Sequence, residues 1–102
     1  MRQTVIGSAI GLHARPAAEF VRAVTQTALP VRIRAVQEPT DGSRPREADA
    51  RSLLEVMTAD FAHGDAVYLS VDDAELVGVQ QQDQSAIGLM LEELGTFLSE
   101  QN

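Results

Sequence analysis

The chain has 102 residues, 44% of them apolar and 23% charged, and a formal net charge of −7. Such a size and balance allow one globular domain with a modest core, residues 1–102, and exclude a disordered chain. With no cysteine, disulfides and thiolate chemistry are excluded, and the acidic surplus argues against a nucleic-acid partner.

The segment Gln3 to Ser8 opens with a short β-type run, Thr4-Val5-Ile6, closed by Gly7. From Pro16 to about Ala28 the apolar residues Ala17, Phe20, Val21, Val24 and Ala28 recur at helical spacing, opposite Glu19, Arg22 and Gln26. Leu29-Pro30 ends that helix. Val31 to Val36 then alternates with period two, a strand with one buried face. Glu38 to Glu47 holds two prolines and an Asp41-Gly42 turn signal, so it reads as a loop.

A short strand through Ala48 and Ala50 is expected next. Ser52-Leu53-Leu54-Glu55 matches a capping box, in which serine and glutamate satisfy free N–H groups reciprocally, and opens a helix to about Ala59. His63-Gly64-Asp65 turns into a strand, Ala66 to Val71, with Val67, Leu69 and Val71 on one face. Asp72 to Gln84 is polar and unassigned, with Asp72, Asp73 and Glu75 a solvated acidic run. Asp83 is a candidate cap for a last helix carrying the stripe Ile87, Met90, Leu91, Leu94 and Leu98. The order is β-α-β-β-α-β-α, an α+β fold in two layers with an antiparallel sheet covered on one side.

No apolar run approaches the roughly 18–20 residues that cross a bilayer, and Met1 to Val5 lacks the apolar core of a signal peptide. A free cytoplasmic protein without membrane insertion is expected. Two histidines and no carboxylate cluster at ligand-like spacing offer no metal site.

The chemistry concentrates in Gly11-Leu12-His13-Ala14-Arg15-Pro16-Ala17-Ala18. Pro16 suits a first helical position, because its missing N–H has no intrahelical partner there. His13 then stands just outside a helix N-terminus, where free N–H groups and the helix dipole favour an anion. All the cationic side chains apart from histidine are arginines. Arg15 offers a permanent charge and a bidentate fork that suit phosphate. The Ala17 N–H is a candidate phosphate-binding amide. An imidazole nucleophile beside these groups points to phosphoryl chemistry on His13. A hydrolase using His13 as general base is disfavoured, because no nucleophile or orienting acid is expected beside it.

This stretch, together with Ala50-Arg51-Ser52-Leu53-Leu54 and the order of elements, resembles the HPr family. These are the histidine-containing phosphocarriers of the bacterial sugar phosphotransferase system. The resemblance implies an open-faced sandwich, a four-stranded antiparallel sheet with three helices on one face. It further implies a monomeric carrier without cofactor, itself a substrate of phosphotransferases rather than an independent enzyme. Such a carrier takes a phosphoryl group from phospho-Enzyme I onto His13 Nδ1 and passes it to IIA domains of sugar permeases.

Ala14, Ala18, Arg22, Leu53, Leu54 and Met57 are implied as a surface for these transient partners, although Leu53, Leu54 and Met57 suit a core as well. Ser52 is explained fully by the capping box, and in part of the family the matching serine is a regulatory phosphorylation site. That leaves an alternative: a regulatory or non-sugar relay module, switched at His13 or Ser52, with a serine kinase, a phosphatase or a transcription regulator as partner. The chain departs from the family at Ile10, where a polar residue is common, and at Glu55, often glycine or basic. It departs again at Ala59-Asp60, where leucine-glycine is usual. Glu55 and Asp60 add negative charge near the expected docking face, which works against an acidic Enzyme I.

Overall fold

The computed structural model describes residues 1–72 and 84–101. Along the chain run β1 (Arg2–Val5), α1 (Ala14–Thr27), β2 (Val31–Ala35), β3 (Glu47–Asp49), α2 (Leu53–Thr58), β4 (Ala66–Val71) and α3 (Gln84–Glu100). The strands form one sheet in the order β1-β4-β2-β3, with every neighbouring pair antiparallel. The expected element order and open antiparallel sandwich are both present.

Alternation explains why the sheet has one wet face. In β2, Val31, Ile33 and Ala35 are buried, and in β4 Val67 and Leu69 are buried beside them. The residues between point outward: Arg34 lies opposite Tyr68, its guanidinium carbon 5.9 Å from the ring centroid. Arg32 bonds Glu47 across β2 and β3 at 3.0 Å. The helices cover the apolar face, α1 contributing Phe20 and Val24 and α3 contributing Leu91, Leu94 and Leu98.

Several boundaries differ from the sequence reading, each for a local reason. Strand β1 stops at Val5, because the Ile6 N–H turns to the Asp65 carbonyl, though Ile6 remains fully buried. Helix α1 begins two residues before Pro16, which still lies in the first turn where a missing N–H costs nothing. Ala28, expected on the apolar face, is the exposed C-cap at φ 58°. The capping box at α2 is half formed. Ser52 Oγ accepts the Glu55 N–H at 3.3 Å, but the Glu55 carboxylate turns instead to the Asp49 N–H at 3.2 Å. The Ser52 N–H is already taken by the Asp49 carbonyl, so the usual reciprocal bond is not needed.

The stripe on α3 is present, with Leu91, Leu94 and Leu98 buried and Ile87 and Met90 partly so. Gly95 allows α3 to sit close on β1, where an added Cβ would lie 3.4 Å from that of Thr4. The Thr4 hydroxyl donates to the Gly95 carbonyl at 2.7 Å across the same contact. The suggested Asp83 cap and the acidic pair Asp73 and Glu75 lie outside the described residues. No described helix is long and apolar enough to cross a membrane.

Candidate functional site around His13

The site is built from Leu12 outward. Leu12 is fully buried and its N–H donates to the Phe61 carbonyl at 2.9 Å. Gly11 permits this approach: its φ is +76°, and a Cβ there would lie 2.5 Å from the Phe61 carbonyl oxygen. Phe61 is itself fully buried. Two core side chains thus anchor two segments far apart in sequence, and the residues adjoining them are His13 and Asp60.

His13 is the N-cap residue of α1, at φ −127° and ψ 161°, and its side chain makes no cap bond. Its ring is partly exposed, 37% of the side chain. Nε2 lies 2.6 Å from Asp60 Oδ1. Among the described residues Nδ1 has no hydrogen-bond partner. The N–H groups of Ala14 and Arg15 likewise meet no acceptor among the described residues, as expected for the first turn of a helix. The Ala17 N–H, read as a phosphate-binding amide, points instead to the His13 carbonyl, at a long 3.4 Å.

Ala14 has φ 47°, the left-handed region that a residue with a Cβ rarely adopts. The helix therefore starts on a strained residue immediately after His13. Asp60, bonded to the ring, is also left-handed at φ 57°, a conformation aspartate adopts more readily than alanine. Its backbone is clamped: Arg46 Nη1 donates to the Asp60 carbonyl at 2.7 Å, and Nη2 bonds Asp65 Oδ2 at 2.9 Å. The same guanidinium lies 5.6 Å from the Phe61 ring centroid.

Arg15 is almost fully solvated and its Nε donates to Glu19 Oε1 at 2.8 Å, one helical turn on. An exposed pair of this kind is worth about 1 kcal/mol or less, so it exchanges readily for a stronger anion. Ala14, Ala18 and Arg22 are exposed on α1. Leu53, Leu54 and Met57 are exposed too, at 39%, 78% and 38%, while Val56 supplies the buried side of α2. The choice between core and surface for those three falls to surface. Ile10, 60% exposed, adds to the apolar surface of the molecule. Ser52 is engaged as a cap, and His63 is exposed with Nδ1 3.1 Å from the Ser8 carbonyl oxygen.

One expectation is overturned. An acid does stand beside His13: Asp60, read from sequence only as negative charge near the docking face. Its pairing depends on a main-chain contact between residues 12 and 61, which no local pattern announces.

A family model described as the PTS HPr component phosphorylation site matches residues 1–93. The chain belongs to the HPr family. A curated relative, phosphocarrier protein HPr of Streptomyces coelicolor, is 41% identical over 71 residues, covering 70% of this chain and 69% of the relative. The fold agrees with solved HPr structures. One from Bacillus anthracis superposes with a TM-score of 0.67 at 21% identity, covering 95% of this chain and 93% of the other. Another, HPr-C-His from Thermoanaerobacter tengcongensis, gives 0.61 at 22% identity over 100% and 99%. As an HPr-family chain it falls among the phosphocarriers of the phosphotransferase system.

Proposed function

We propose that this HPr-family protein accepts a phosphoryl group on His13 from phospho-Enzyme I and passes it to IIA domains of sugar permeases. The observation that carries this reading is the state of the His13 ring. It is partly open to solvent, with one nitrogen engaged by Asp60 and the other, at the start of α1, without a partner among the described residues. A nucleophilic nitrogen must present its lone pair to phosphorus, and Nδ1 is free to do so.

The surroundings suit the anion that results. The free amides of Ala14 and Arg15 and the dipole of the 14-residue helix α1 favour negative charge beside the ring. Arg15 can leave Glu19 for a phosphoryl oxygen, because its present pair lies open to solvent, with the Arg15 side chain 89% exposed. The donor and acceptor proteins supply the remaining groups of each active site. Exposed Leu53, Leu54 and Met57, with Ala14, Ala18 and Arg22, form the surface on which these partners alternate.

Incubation with phosphoenolpyruvate and Enzyme I from the same source tests this. The expected product carries acid-labile, alkali-stable phosphate, which a IIA domain removes. Failure of the cognate Enzyme I to label the unaltered protein overturns the proposal.

A further inference from the structure

Asp60 is mostly exposed, 77% of its side chain, so burial does not force its carboxylate onto His13. The contact is nonetheless built from fixed parts. Its backbone occupies a left-handed turn held by Arg46, from the end of the loop that precedes β3. The next residue, Phe61, is buried and bonds Leu12, which fixes the backbone of His13 from the other side. The Oδ1 to Nε2 distance of 2.6 Å is that of a short, charge-assisted hydrogen bond.

An ionised carboxylate only accepts, so the ring nitrogen facing it must carry hydrogen. With Nε2 protonated, the neutral ring keeps its lone pair on Nδ1. We propose that Asp60 is a positioning residue, which holds the Nε2–H tautomer and the orientation of His13 so that Nδ1 is the nucleophile. The role in transfer rests on the reading of His13 as phosphoryl acceptor; the tautomer does not.

The Nδ1 lone pair forms the N–P bond, while the bond from phosphorus to the donor atom of phospho-Enzyme I breaks and leaves its electron pair there. The Nε2 proton stays on the ring, and the positive charge the ring gains faces the Asp60 carboxylate. On transfer to the acceptor protein the N–P electron pair returns to Nδ1, and the ring is neutral again.

Two variants separate this role from a structural one. Asp60→Gly removes the carboxylate while fitting the left-handed turn, so folding is preserved. Asp60→Asn keeps the shape but can turn its NH2 group to Nε2, which favours the proton on Nδ1. The ring nitrogens of His13 are read by 15N NMR about two pH units above the ordinary histidine value of about 6.5. Transfer from phospho-Enzyme I is timed in parallel.

The expected unaltered ring has hydrogen on Nε2 alone. Asp60→Gly loses the hydrogen-bonded Nε2–H signal and slows transfer about tenfold, the lower end of what removing a carboxylate that orients a metal-bound histidine costs. Asp60→Asn moves protons toward Nδ1 and slows transfer further. Hydrogen on Nδ1 in the unaltered protein overturns the inference, as do variants with unchanged ring nitrogens and undiminished rates. If the unaltered protein accepts no phosphoryl group, the functional proposal falls and the ring nitrogens alone decide the role of Asp60.

Discussion

The main-chain hydrogen bond from the Leu12 N–H to the Phe61 carbonyl, 2.9 Å long, sets His13 beside Asp60. Both flanking side chains, Leu12 and Phe61, are fully buried, so the core fixes the relative position of two surface groups. Removing Leu12 therefore affects stability and site together. Leu12→Ala is expected to cost about 2–5 kcal/mol, the range for a buried leucine cut to alanine. Urea unfolding at unchanged slope measures it, and a loss well under 1 kcal/mol would show that Leu12 does not anchor the segment.

Strain next to the ring gives an opposite prediction. Ala14 is exposed at φ 47°, so glycine there loses no packing. Relief of the left-handed penalty, about 1–2 kcal/mol, outweighs the extra chain entropy of glycine, about 0.5–1 kcal/mol. Ala14→Gly should stabilise the protein by roughly 0.5–1 kcal/mol in thermal or urea unfolding. A loss of that size contradicts the strain argument.

Arg46 clamps the turn that carries Asp60. Arg46→Ala removes the bonds to the Asp60 carbonyl and to Asp65, and both partners then turn to water. Because the Arg46 and Asp65 side chains both reach solvent, at 42% and 29% exposure, the expected cost is about 1 kcal/mol. Amide exchange should accelerate locally, from Asp60 to Asp65. Arg46→Lys should not restore protection, since one ammonium cannot reproduce the two-pronged contact. Unchanged exchange in both variants would show that the turn holds without the clamp.

Asp49 ties the end of β3 to the start of α2 and makes that junction sensitive to acid. The Arg51 side chain donates to the Asp49 carboxylate and holds its pKa below the ordinary aspartate value of 3.8, against the opposing effect of partial burial. A carboxyl lowered on folding contributes stability above its unfolded value, and loses it as pH falls through the lowered folded value. NMR titration of the Asp49 carboxyl should thus show a midpoint under 3.8. Arg51→Ala should raise it, though not fully, since the Arg51 main-chain N–H still donates. A midpoint indifferent to Arg51 would contradict the assignment.

The elements were legible where one physical signal dominated. Strand β4 keeps its expected bounds because Val67 and Leu69 alternate with Tyr68 and Ser70, after the turn at His63-Gly64. The α3 stripe outweighs two helix-weakening glycines, and Gly95 proves to be the place where helix and sheet meet closely. The site was only half legible. His13 and the helix start follow from local pattern, but Arg15 pairs with Glu19, and the Ala17 N–H bonds the His13 carbonyl. The Asp60 contact was hidden because it is made across 47 positions in sequence. Its one local sign, aspartate where the family usually has glycine, speaks of charge and not of a directed side chain.

The most direct test of the account is where the phosphoryl group sits. Protein labelled with 15N, phosphorylated by phosphoenolpyruvate and Enzyme I, is read for 31P–15N coupling in the His13 ring. Coupling to Nδ1 is expected, with no phosphate taken up by His13→Ala. Coupling to Nε2, or phosphate retained by His13→Ala, would contradict it.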